Sequence, residues 1–345
     1  ARERAWHRTG AVEAAAEERP ATVADVRALL SARDDGAVVA NFLVIDGVLR
    51  CVRLDANGER IVDLGTRADV AERVLRARAD LGVCANDLVP TALRAVARRS
   101  LTRNLRALDE VLAVPLAADG PLYVIGRDPL VGVPWTALPS RRGKRTTMRS
   151  YAARGRAHPR PGEGHRLLAA HGPGVTLGAS EVRAVGTVWP GATVLTGSAA
   201  TTTAVREALA THDIVHLATH GRHDADNPLF ASIDLADGPL FAHELDGTRL
   251  PGSVVILSAC EVGGSSQVVG GEVLGLTAVL LRLGARAVVA AVAPLSDAVA
   301  ARVMPRLHAH LRATDDPEAA LAAALADEPD PAPLVCFGSL EGLPR

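Results

Sequence analysis

Apolar and polar positions alternate in two ways along the chain, and the change of period divides it. Near the N-terminus, AVVANFLVIDGVLRCVRLD (Ala37 to Asp55) is a pair of apolar runs about Asp46-Gly47. Asp-Gly between such runs is the strongest short signal for a hairpin. A second turn at Ala56-Asn57-Gly58 leads into IVDLG, so this part predicts an antiparallel sheet. A short helix over Thr22 to Ala32 precedes it, with Thr22 as N-cap and Asp25 three residues on. Arg67 to Leu81 and Pro90 to Leu112 carry apolar residues at three- and four-residue spacing and predict helices. PLYVIG (Pro121 to Gly126) then predicts a buried strand.

From Arg166 the pattern becomes strand and helix in turn. RLLAAHG, ATVLTG and DIVHLATHG predict strands, with helices over Ala179 to Val188 and Thr201 to Thr211. Beyond the hairpin sequence SIDLADGPLFAHEL come VVILSAC, a helix from Glu272 to Leu283 closed by Gly284, and the strand ARAVVAAVAP. Helices over Ser296 to Ala313 and Pro317 to Ala326 and a last strand, PLVCFG, complete the run. That alternation predicts an α/β fold with a mostly parallel sheet wound by helices.

Residues 140–165 break both patterns, being basic and rich in Pro and Gly with no apolar period. They predict a mobile surface loop between two halves. Its arginines leave two readings open, an activating cleavage site or a plain linker. Residues 1–20 read as a polar helix or linker belonging to something larger upstream.

Composition narrows the function. The 345 residues are 48% hydrophobic and 22% charged with a net charge of -1, ordinary for a globular protein. Nothing in that balance asks for a nucleic-acid partner, and no aromatic residues interleave with the arginines at 94, 98, 99, 103 and 106. No run is long enough to span a membrane and no signal peptide is visible, which points to the cytoplasm. The four cysteines are widely spaced, suggesting neither a disulfide framework nor a zinc knuckle. A count of His216, His220, His223 and Cys260 as zinc ligands is disfavoured because the spacing falls on a strand. No cofactor motif is present.

Candidate chemistry concentrates between His220 and Cys260. Each stands where a buried apolar strand runs into a turn, and in open parallel sheets ligands bind at that C-terminal edge. A thiol is only slightly ionised at neutral pH, so an imidazole within reach is what a cysteine nucleophile needs. His216, two alternations earlier inside the strand, reads instead as a core histidine.

HLATHG, NPLFASIDLADGPLFAHEL, SACEVGG and GGEVLGLTAVLLRLGARAVVAAVAPLSD resemble the core of CHAT domains, caspase-like cysteine peptidases related to separase. VPWTALP and WPGATVLTGSAATTTAVREAL are similar to the same family, so the likeness spans about residues 20 to 342. It implies a pseudo-protease-like half over 21–139 and a caspase-like catalytic half over 166–345. It also implies a His220/Cys260 dyad, oxyanion donors in the N–H groups of Gly221 and Cys260, and no cofactor. The expected function is cleavage of a protein partner, regulated by an upstream module. Asp297 falls where the family often carries an acid near the pocket for the residue before the scissile bond, which implies a basic residue there. An acid at a helix N-terminus accounts for Asp297 equally, and Asp224 and Asp226 are rival pocket acids. A tryptophan common in the family is replaced here by Ala293. The alternatives are a catalytically silent CHAT-fold binding or scaffold module, or a hydrolase of a small amide or thioester with a closed apolar pocket.

Overall fold

A computed structural model describes residues 22–149, 165–222, 231–250, 252–259 and 272–338. Helix α1 (Val23–Ser31) opens it, with Thr22 and Asp25 forming the reciprocal capping box that their spacing predicts. Strands β1 (Val38–Ile45), β2 (Val48–Asp55) and β3 (Gly58–Thr66) follow. Asp46 and Gly47 both take positive φ, 52° and 77°, as the tightest hairpin turn requires. Helices α2 (Arg67–Ala85) and α3 (Thr91–Leu112) pack as an antiparallel pair, and β4 (Leu122–Ile125) and β5 (Thr146–Arg149) complete the first half.

The second half runs β6 (Leu167–His171), α4 (Gly178–Val188), β7 (Thr193–Leu195), α5 (Thr202–Thr211) and β8 (Ile214–Thr219). Next come the short strands β9 (Gly221–Arg222), β10 (Ser232–Leu235) and β11 (Gly238–Phe241), then β12 (Val254–Ala259). Helix α6 (Glu272–Leu283), β13 (Ala287–Ala291), α7 (Asp297–Thr314), α8 (Pro317–Ala326) and β14 (Leu334–Gly338) end the described chain.

One sheet runs through both halves in the order β3-β2-β1-β4-β5-β14-β13-β12-β8-β6-β7, and a small second sheet holds β11-β10-β9. The expected N-terminal antiparallel sheet is therefore the edge of a continuous one, joined where β1 lies parallel to β4. The halves meet where β14 lies parallel to β5, and the direction reverses one strand on, between the antiparallel β14 and β13, so the two parallel blocks run in opposite directions. Helices cover both faces, which is why the central strands read as unbroken apolar runs. Alternate residues of β8 and β12 divide between two cores: Val215, Leu217, Val255 and Leu257 face α2, α3, α5 and α6, while Ile214, Val254 and Ile256 face α4, α7 and α8.

The expectation of a surface loop over 140–165 is corrected at its start. Arg141 is buried and donates to the carbonyls of Ala118, Gly120 and Arg145, and Thr146–Arg149 is an interior strand between β4 and β14. A four-residue strand flanked by arginines shows no period for sequence to reveal; Thr146, Thr147 and Met148 are the buried part. Residues 150–164, with Arg154, Arg156 and Arg160 of that arginine-rich segment, lie outside the described residues. No described helix is long and apolar enough to cross a membrane.

Candidate active site

Strands β8 and β12 are parallel neighbours, paired in register from Ile214 with Val254 to Thr219 with Ala259. His220 is the next residue after Thr219, and Cys260 the next after Ala259. The ladder thus brings the two strand ends that carry the candidate dyad to one rung of the C-terminal edge, with neighbouring strands about 4.8 Å apart. Cys260 itself lies outside the described residues, as do Asp224 and Asp226.

His220 is half-buried and its backbone is clamped by the small sheet. The His220 carbonyl accepts the Asp234 N–H at 2.9 Å, the Thr219 hydroxyl donates to the Asp234 carbonyl, and Gly221 pairs with Ile233. Arg222 holds the Asp234 carboxylate at 3.1 Å. The hairpin between β8 and β12 therefore fixes the turn that presents the imidazole. From the other side the loop after β6 lies across the end of β8. Its Gly172 N–H donates to the Ala218 carbonyl at 2.9 Å, and Gly174, at φ 82°, faces the ring so closely that a Cβ there would stand 2.9 Å from His220 Nε2. The sequence reading passed over both glycines, although Gly-Pro-Gly at 172–174 marks a turn.

Asp297 is the first residue of α7, beyond the C-terminal end of β13. Its Oδ2 accepts the backbone N–H of Leu177 at 3.4 Å. Leu177 belongs to the loop that carries Gly174, so Asp297 and His220 both border that loop. The geometry also fits the other reading of Asp297, an acid in the first turn of its helix.

His216 is fully buried and belongs to a chain of four side chains. The Trp189 indole donates to His308 Nδ1 at 3.0 Å, His308 Nε2 meets His216 Nδ1 at 3.1 Å, and His216 Nε2 meets Glu181 Oε1 at 3.0 Å. An indole N–H only donates, so direction and tautomer follow along the chain: each imidazole carries its proton on Nε2 and ends on a carboxylate. Burial, with His216 beside it, holds the His308 pKa well below the ordinary histidine value. Both ring nitrogens of His216 are thus engaged, as the core reading expects. Among the described residues no group of three His, Cys, Asp or Glu side chains is placed to hold a metal ion.

The three described cysteines are poor nucleophiles. Burial pushes the Cys51 thiol up to about 12, that of Cys336 well above its ordinary value, and that of Cys84 upward. A protonated, buried thiol does not attack a carbonyl.

The model of the CHAT domain family matches residues 102–330. No curated protein matches. Among solved structures, two of the Saccharomyces cerevisiae separase–securin complex superpose with TM-scores of 0.62 and 0.63 at 8% and 10% identity. Each covers 91% of this chain and 30% or 31% of the separase chain, so this chain spans about a third of that length. At such identity the likeness shows the fold alone, a caspase-like sheet flanked by helices. The Arg-specific cysteine proteinase gingipain R also matches, with a TM-score of 0.37 at 10% identity over 81% of this chain and 76% of that one. That score is too low to carry an argument.

Proposed function

The chain belongs to the CHAT domain family, and from that premise we propose that it is a cysteine endopeptidase acting through His220 and Cys260. The observation that carries the reading is the last rung of the β8–β12 ladder, Thr219 beside Ala259, from which both residues follow directly. In this reading His220 takes the proton from Cys260, and the thiolate attacks the carbonyl carbon of the scissile peptide bond. The N–H groups of Gly221 and Cys260 receive the oxyanion. The tetrahedral intermediate collapses to a thioester as His220 delivers its proton to the leaving amine, and water then releases the acid. The glycine at 221 suits the role, since substrate backbone must come close there.

The substrate is a protein, cleaved after Arg or Lys if Asp297 lines the adjoining pocket, because a carboxylate there makes a charge-assisted contact with a basic side chain. Asp224 and Asp226 are the rival acids. Regulation by a module upstream of residue 21 and action in the cytoplasm belong to the same proposal. The separase structures were solved with a bound protein, securin, which is in keeping with a protein partner here.

The test is digestion of a diverse peptide library by the purified chain, read by mass spectrometry, beside the Cys260→Ala variant. Cleavage that disappears in the variant supports the proposal. Identical cleavage by both proteins removes Cys260 as the nucleophile, and silence from both favours a scaffold that keeps the fold without turnover.

A further inference from the structure

His220 stands at one end of a chain of contacts that begins on a neighbouring strand. His171 is the last residue of β6, on the rung of Ala218 and Ser258, so the ends of β6, β8 and β12 lie along one edge of the sheet. Its Nε2 meets the Val175 carbonyl at 3.1 Å. A carbonyl only accepts, so Nε2 is the protonated nitrogen of the neutral ring and Nδ1 its acceptor. The ring packs under the first turn of α4, where Gly178 leaves no room for a Cβ beside Cδ2.

Two features set His171 apart from a residue that only packs. Its Nδ1 is buried and has no hydrogen-bond partner among the described residues. An apolar side chain would fill the space without leaving a polar atom unpaired, which is costly in the interior. The Val175 carbonyl, moreover, already accepts the Gly178 N–H at 3.2 Å, so no backbone group depends on the imidazole for a partner. What the histidine adds is a lateral hold on the loop after β6. That loop is otherwise tied at its ends, by the Gly172 N–H on the Ala218 carbonyl and the Leu177 N–H on Asp297. Pro173 and Gly174 are exposed, and Val175 is the buried residue between them and α4. Gly174, one residue back from Val175, is the one that lies against the His220 ring.

We propose that His171 is a positioning residue for the candidate dyad, holding Val175 so that Gly174 backs the His220 imidazole. It touches neither substrate nor the reacting atoms. The path is short: Nε2–H to the Val175 carbonyl, one residue back to Gly174, and the close approach of Gly174 to the ring. Without the bond the loop keeps its two ends while its middle is free to rock. A catalytic group displaced by about 1 Å loses on the order of a hundredfold in rate. The role presupposes that His220 and Cys260 form the dyad, and a measurement on the Cys260 thiol itself separates the two.

The experiment is alkylation of the whole chain by iodoacetamide, followed against pH by peptide mapping in a mass spectrometer, which separates Cys260 from Cys51, Cys84 and Cys336. A thiolate paired with an imidazole alkylates with an inflection below about 7.5, an unassisted thiol with one near 8.5. His220→Ala should move the wild-type inflection to the upper value. His171→Leu, which keeps an apolar body beside Gly178 without the donor, should melt close to the wild type. Its inflection should rise by about one pH unit, the lower end of what a neighbouring charge contributes. His171→Gln, whose carboxamide N–H can reach the Val175 carbonyl, should restore the wild-type profile. A wild-type profile in folded His171→Leu, beside a shifted one in His220→Ala, overturns the positioning role and leaves the dyad standing. A shift in His171→Gln as large as that in His171→Leu overturns it as well. So does failure of His171→Leu to fold, since the bond would then hold the fold rather than the imidazole. Equal profiles in the wild type and His220→Ala remove the dyad itself, and the role of His171 with it.

Discussion

Gly174 lies against the imidazole of His220, with room for a hydrogen and none for a methyl group: a Cβ there would meet Nε2 at 2.9 Å and Cδ2 at 3.1 Å. Its φ of 82° is in the left-handed region, where an alanine costs about 1–2 kcal/mol. Gly174→Ala should therefore act twice, lowering the melting temperature by a few degrees and pushing the imidazole from its place. A displacement of about 1 Å in a catalytic group costs on the order of a hundredfold in rate. The expected result is a folded protein whose kcat/KM on a cleaved peptide is about a hundredfold lower. Full activity would show that this loop does not position His220.

Asp297 separates two roles by two measurements. If the carboxylate lines the pocket, Asp297→Asn should lower kcat/KM for peptides with Arg or Lys before the cut by about tenfold or more, a charge-assisted bond being worth about 1.5–3 kcal/mol. Peptides with apolar residues there should be little affected. If Asp297 serves only its helix and the Leu177 N–H, the variant should lose about 0.3–1 kcal/mol of stability with its specificity unchanged. Denaturant melts and a matched peptide pair decide between them.

The buried chain from Trp189 to Glu181 predicts an acid limit. His308 is neutral in the folded protein with its pKa well below 6.5, while in the unfolded chain it titrates near 6.5. The unfolded state therefore binds the extra proton first as pH falls, so the contribution of neutral His308 is complete above about 6.5 and lost below it. The slope approaches about 1.4 kcal/mol per pH unit until the folded value is reached. His308→Gln can keep both bonds, accepting from Trp189 and donating to His216, without a group that titrates. Between pH 8 and pH 5 the stability of this variant should fall less steeply than that of the wild type. Parallel slopes would mean that His308 does not set the acid limit.

The same residues show what sequence reveals here and what it does not. Local features were legible because their causes are local: the Thr22–Asp25 capping box, the Asp46–Gly47 turn and the buried runs of β8 and β12 each sit within a few residues of their signal. The strand ends that carry His220 and Cys260 follow from the same apolar runs, and the family resemblance joined them before any ladder was known. Trp189, His308, His216 and Glu181 meet across separations of 35 to 119 residues. Nothing in the sequence near any of them announces the others. Strand β5 was hidden for a different reason, since its interior position is imposed by β4 and β14 on either side rather than by its own pattern.

Glu318 should impose a pH dependence opposite in sign to that of His308. Burial, with Asp316 close by, raises its pKa from 4.5 to about 7, against the pull of the Thr147 hydroxyl, Arg145 and Arg33. Because the folded value lies above the unfolded one, the unfolded chain gives up the proton first as pH rises. The stability contributed by the neutral carboxyl is complete below about 4.5 and lost as pH rises through about 7. Glu318→Gln should therefore leave stability nearly unchanged at pH 4.5 and raise it at pH 8. The gain is on the order of 1–2 kcal/mol, smaller than the full shift implies because Glu318 is partly exposed. A lower melting temperature for the variant at pH 8 would mean the reverse, that an ionised Glu318 is held by Arg145 and Arg33.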